Sequence, residues 1–160
     1  MNKLKGINVG ILVADGFEQV ELEKPRLALE AAGAETFIIS PEEGNVQGWN
    51  HWDKGDQFTV NVPLNEATAE MFDGLLLPGG VINPDRLRTF PKAIQLVKTI
   101  YTQKKPIAAI CHGPWLLINA GAQWIDEPVV CDKNFLTSRK PEDIPKFNEA
   151  MIQLFQLSLK

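Results

Sequence analysis

Ile107-Ala108-Ala109-Ile110-Cys111-His112-Gly113-Pro114 runs from an unbroken apolar tetrad straight into a turn that carries a thiol and an imidazole. An apolar run this short, with both faces greasy, predicts a strand buried on both sides. The apolar segment that follows, Pro114 to Ala120, predicts a helix. Strand, tight turn with a nucleophile, then helix is the geometry of a nucleophile elbow, with cysteine here in the place of serine.

Outward from this point the same alternation recurs. Ile7 to Val13 predicts a strand ended by Asp15 and Gly16, and a helix beginning near Pro25 follows, with Val20, Leu22, Leu27, Ala28, Ala31 and Ala32 at helical spacing. Thr36 to Ser40 predicts the next strand and completes a βαβ unit. Phe72 to Leu77 predicts a strand closed by Pro78-Gly79-Gly80, and Pro91 to Thr102 a helix. Val129 to Cys131 and Phe135 to Thr137 predict a short hairpin before a C-terminal helix from Pro145 to about Leu157. The pattern is an α/β domain, mainly parallel in its sheet, with helices on both faces. Between these units, Pro41 to Gly48 and Gln57 to Val62 predict a hairpin or excursion at a sheet edge, where Trp49, His51 and Trp52 are expected to cover that edge rather than form a lip facing a ligand.

Composition narrows the chemistry. The chain has 160 residues, 44% of them hydrophobic, enough for one core and one domain over residues 1–160. Its formal charge of -4 and the absence of a basic cluster argue against nucleic-acid or anionic-membrane partners. The first apolar run is too short for a membrane span or signal peptide, so a cytoplasmic location is expected. Two cysteines, Cys111 and Cys131, and two histidines, His51 and His112, do not form a zinc motif, so no metal and no cofactor are expected.

In an open parallel sheet the ligand sits beyond the carboxyl ends of the strands. Three segments are expected there: Asp15 to Glu18, Pro78 to Gly80, and Cys111 to Gly113. A helix N-terminus beside Cys111 favours thiolate and is expected to lower the thiol pKa. Cys131, inside Val129-Val130-Cys131, is expected to be a core residue. Gly79 and Gly80 allow close backbone approach, and their N–H groups suit an oxyanion hole, although tight turning alone explains them too. Glu18, with Phe17 and Val20 around it, has two readings: a half-buried carboxyl bonded to the thiolate, or compensation of the helix dipole. His112 is adjacent to Cys111, and neighbouring side chains on a turn usually diverge, so it is read as facing a substrate or capping backbone groups.

Ala14-Asp15-Gly16-Phe17-Glu18 with Val20-Glu21-Leu22, Leu77-Pro78-Gly79-Gly80, Ala109 to Pro114, and Thr137-Ser138-Arg139-Lys140-Pro141 together resemble the PfpI family, in the superfamily of the Parkinson-linked deglycase and the class I glutamine amidotransferases. The resemblance implies a flavodoxin-like three-layer sandwich with Cys111 as nucleophile, Glu18 as its protonated carboxyl partner and His112 as acid/base. It implies oxyanion donors at Gly79, Gly80 and the His112 amide. It also implies a homo-oligomer, dimer or hexamer, in which Asp85 from a neighbouring subunit meets the histidine. Members are described as cysteine peptidases, deglycases or glyoxalases, and stress proteins. The implied function is therefore a stress-response enzyme acting on α-oxoaldehydes or early glycation adducts, with small carbonyl compounds or glycated and peptide substrates as partners. An intracellular cysteine peptidase and a non-catalytic, redox-responsive chaperone-like protein are the alternatives. An amidotransferase is disfavoured because no histidine follows His112. Relatives carry a further strand and short helix after the segment matching Ile118-Asn119-Ala120-Gly121, so the chain resembles a member that lacks this unit after Gly121.

Overall fold

In a computed structural model, residues 3–118, 125 and 127–157 are described. Their strands and helices are β1 (Asn8–Leu12), β2 (Phe17–Glu18), α1 (Gln19–Ala31), β3 (Glu35–Ser40), β4 (Asn45–Asn50), β5 (Asp53–Thr59), β6 (Val62–Pro63), β7 (Gly74–Leu77), α2 (Ile82–Leu87), α3 (Pro91–Thr102), β8 (Ile107–Ile110), α4 (Trp115–Ile118), β9 (Val129–Asp132), β10 (Phe135–Ser138) and α5 (Ile144–Leu157).

Among the described residues the main sheet runs β6-β3-β1-β7-β8-β10-β9. All neighbours are parallel except the outermost, β9, which is antiparallel to β10. Period-two alternation divides the strands between two cores. Val9, Ile11, Leu76, Ala108, Ile110 and Leu136 meet α1 and α5 residues such as Leu22, Leu29, Phe147 and Met151. Leu12, Leu75, Leu77, Ile107 and Ala109 turn the other way, onto Ala93, Leu96, Val97 and Ile100 of α3. Two buried faces explain why these strands are apolar throughout. Gly74 is packed so tightly that a Cβ there would strike the Phe155 ring of α5.

The structure corrects three expectations at this level. Helix α1 begins at Gln19 and contains Pro25 in its interior, so the proline removes one helical hydrogen bond instead of opening the helix. The segment 45–59 does not cover an edge of the main sheet. It forms its own three-stranded sheet in the order β2-β4-β5, tied to the loop after β1 by Gly16 N–H donating to Gln47 O (3.0 Å) and by Gln47 N–H donating to Asp15 Oδ1 (2.8 Å). Cys131 is exposed instead of buried, because β9 is the outermost strand and only its first half packs inward. The apparent join at Asn119 to Gly121 lies outside the described residues.

Candidate active site

At the end of β8 the chain turns on a left-handed residue. Cys111 has φ 59°, a conformation that costs a non-glycine residue about 1–2 kcal/mol, and its N–H donates to Ser138 O (2.9 Å) on β10. Gly113 completes the turn, its N–H donating to Ile110 O (2.9 Å); a Cβ there would collide with the Leu77 carbonyl on β7. The turn is thus braced by both neighbouring strands, and helix α4 starts two residues later.

The carboxyl group that meets the thiol belongs to Glu21, not Glu18. Glu21 is fully buried on α1, hydrogen-bonds Cys111, and accepts the Gly79 N–H at 2.8 Å. Burial pushes its pKa up to about 7, against the lowering effect of the Gly79 and Cys111 bonds. The Cys111 thiol is in turn pushed up to about 12, first by burial and then by the Glu21 charge and hydrogen bond, while the Gly80 and His112 amides pull it down. The thiolate expected from a helix dipole alone is therefore not what burial and Glu21 impose. Each group's charge and hydrogen bond act on the other, which links their proton losses. When Glu21 is ionised its charge opposes the thiolate, and when it holds the proton its O–H can donate to sulfur.

Gly79 is likewise reassigned, because its N–H is committed to Glu21. The N–H groups of Gly80 and His112 remain directed at the sulfur. Gly80 has φ 82°, and a Cβ there would come within 2.5 Å of Gly16 O and 2.6 Å of Glu18 N, so this turn admits only glycine. His112 does not diverge from its neighbour: its Nδ1 lies 3.7 Å from Cys111 Sγ, and its ring stacks with Trp115, centroids 6.3 Å apart. Asp85 is exposed on α2, ion-paired to Arg88 at 3.1 Å.

Glu18 is turned toward the tip of the β4–β5 hairpin. Its Oε2 accepts the His51 N–H at 3.1 Å and lies 3.6 Å from His51 Nδ1. Both residues line the cleft of about 520 Å³ that holds Cys111, Glu21, His112 and Gly80. Trp49 and Trp52 of the hairpin line it as well, as do Val81 and Ile82. These aromatics line the cleft instead of covering an edge of the main sheet.

Two residues were missed. Glu21 shares the buried stripe of α1 with Leu22, Pro25 and Leu29. A carboxylate on the apolar stripe of a helix was the available signal. Asn83 is fully buried; its Oδ1 accepts Ala14 N–H (2.7 Å), and its Nδ2 donates to the Pro78 and Gly79 carbonyls (2.9 Å each). It pins the glycine turn to the end of the first strand.

The DJ-1/PfpI family model matches residues 7–122 and 117–154. The chain belongs to the DJ-1/PfpI family. It is 35% identical to General stress protein 18 of Bacillus subtilis, covering 94% of this chain and 99% of that one. It is 34% identical to Deglycase PfpI of Pyrococcus furiosus, covering 91% and 97%. A two-domain protein from Anabaena variabilis with DJ-1/ThiJ/PfpI-like and ferritin-like domains superimposes with a TM-score of 0.83 at 29% identity, over 92% of this chain and 47% of that one. Schizosaccharomyces pombe DJ-1, at 20% identity and a TM-score of 0.78 over 96% of this chain and 97% of that one, shares the flavodoxin-like fold. The two family matches overlap at 117–122, the string where the sequence suggests a join, and the Bacillus alignment runs over 177 positions although this chain has 160. The family relatives therefore carry residues with no counterpart here. No helix among the described residues is long and apolar enough to cross a membrane.

Proposed function

We propose that this DJ-1/PfpI protein is a cysteine-dependent enzyme of the deglycase type, acting on α-oxoaldehydes or on their early adducts with amines. The observation that carries the reading is the Cys111–Glu21 pair: a thiol whose proton has a buried carboxyl group of raised pKa to go to, at the floor of an open cleft. The names of the archaeal relatives, deglycases at about a third identity over most of the chain, support the same chemistry.

In the first step the Cys111 sulfur bonds to the aldehyde carbon and the C=O π electrons move to oxygen, while the thiol proton passes to Glu21. The Gly80 and His112 N–H groups, directed at the sulfur, serve as donors for the charge that develops on that oxygen. Protonation of the oxygen gives a hemithioacetal. His112 then carries the proton from the former aldehyde carbon to the neighbouring carbonyl carbon while the hemithioacetal O–H proton passes to that carbonyl's oxygen, leaving a thioester and a hydroxyl group. Water cleaves the thioester to a 2-hydroxy acid and returns the thiol. From an aminocarbinol adduct the amine departs as the sulfur bonds, taking up a proton, and the later steps are the same.

Cys111→Ser tests the reading: turnover of methylglyoxal, or release of amine from its adducts, is expected to fall at least about a thousandfold with the fold intact by circular dichroism. Full activity in that variant overturns it. We propose further that Asp85, exposed on α2, lies at a contact between copies of the chain and faces the partner's copy of the site. Sedimentation of Asp85→Ala is expected to show a weaker oligomer together with lower activity.

A further inference from the structure

The chemistry just proposed uses only the floor of the cleft, and the other wall is built for something else. A three-carbon oxoaldehyde has the bulk of a few waters, each about 30 Å³, whereas the cleft holds about 520 Å³. The unused space lies between the hairpin tip, with Trp49 and Trp52, and the apolar side chains of Val81 and Ile82. Trp52 is 90% exposed and Val81 66%, so the two walls present apolar surface that no other described residue of the chain covers. Among the described residues, the acidic side chains lining the cleft are Glu18 and Glu21, and no lysine or arginine lines it. A phosphorylated or otherwise anionic substrate finds no counter-charge there, and an uncharged flat group finds aromatic faces.

The tip is also held in place. Beside the two contacts of His51 with Glu18, Gln19 Nε2 donates to Asp56 Oδ2 and Gln19 Oε1 accepts Asp56 N–H, each at 2.7 Å. Phe17 and Phe58 meet edge to face at 5.5 Å beneath it. His51 sits at the tip with φ 56°, a conformation retained where surrounding contacts over-determine it.

We infer that the β4–β5 hairpin tip is the substrate-selecting arm of this cleft: Trp49 and Trp52 take an uncharged aryl or bulky apolar group joined to the reacting carbonyl, and Glu18 positions the tip through His51. The inference rests on Cys111 being the reacting thiol. It extends the proposed function by naming which carbonyl compounds are preferred.

The test compares two alkylating probes, iodoacetamide and its N-phenyl analogue iodoacetanilide. In both the sulfur bonds to carbon as the C–I bond breaks and iodide leaves, with the thiol proton passing to Glu21. Rates at Cys111 are read by peptide mass spectrometry and divided by those at exposed Cys131, which cancels the intrinsic reactivity of each reagent. The normalised preference for the phenyl reagent is expected to be about tenfold, about 1.4 kcal/mol. It is expected to fall to about one in the Trp49→Ala/Trp52→Ala double variant. Glu18→Gln, checked for an unchanged melting temperature, is expected to lower it severalfold, a change in selectivity that a purely structural carboxylate would not produce. A normalised ratio near one in the unaltered protein, or a tenfold ratio kept by the double tryptophan variant, overturns the assignment. Because the readout is alkylation, a protein that prefers the phenyl reagent yet turns over no α-oxoaldehyde would reject the enzyme and leave the arm standing.

Discussion

At the scale of single residues, Glu21 ties the Cys111 environment to stability through its burial and raised pKa. Its pKa rises from 4.5 in an unstructured chain to about 7 in the fold. Between those values the folded protein binds more protons than the unfolded chain, so this group's contribution to stability is fully present below pH 4.5 and is lost as pH rises through about 7. The span corresponds to at most about 3 kcal/mol. Glu21→Gln removes that dependence, so the stability of the variant relative to the unaltered protein is expected to climb between pH 5 and 8 in urea titrations. A difference that stays flat with pH would show that Glu21 is not buried with a raised pKa. Gly80→Ala, which combines a φ of 82° with backbone collisions, is expected to cost about 2–4 kcal/mol. The position of Cys111 and of the glycine turn at strand ends is legible in the sequence, whereas the carboxyl partner that the resemblance implies, Glu18, is replaced by Glu21, because both lie near the end of the first βα connection and only the rotation of α1 separates them. Glu18 is the residue just before the helix and faces the hairpin; Glu21, three residues on, turns inward.

At the scale of elements, the parallel strands and α3 were legible from their apolar runs, since a strand buried on two faces leaves little room for any other pattern. The stretch Ile107–Ile110 and the helix Pro91–Thr102 match their expected limits. The hairpin 45–59 was harder, because its residues alternate weakly and its partner is the two-residue strand Phe17–Glu18, a pairing that no local pattern announces. Pro25 also misled, since a proline usually opens a helix and here lies within one. Connection between elements depends on Asn83, which joins the end of the first strand to the glycine turn. Asn83→Ala strands one N–H and withdraws the donor from two carbonyls, so a loss of about 2–4 kcal/mol is expected by thermal or chemical denaturation. A change below about 0.5 kcal/mol would mean that the turn is held by packing alone.

For the whole molecule, the carboxyl ends of β1, β7 and β8 converge on one cleft, and the small β2-β4-β5 sheet roofs it. The Cys111 and Glu21 floor comes from the end of the parallel sheet and from α1, and the aromatic wall from the hairpin, so the two can be altered separately. The exposed Cys131 on the outer strand belongs to neither, and Cys131→Ser is expected to change stability by no more than about 0.5 kcal/mol. The central claim is that Cys111 and Glu21 share a proton, and the pH dependence of Cys111 alkylation in the unaltered protein and in Glu21→Gln tests it most directly. The account predicts a rate that rises with a midpoint near pH 7 in the unaltered protein, where the pair loses its first proton, and no such rise in Glu21→Gln, whose thiol has to ionise alone. Identical profiles for the two proteins would contradict it.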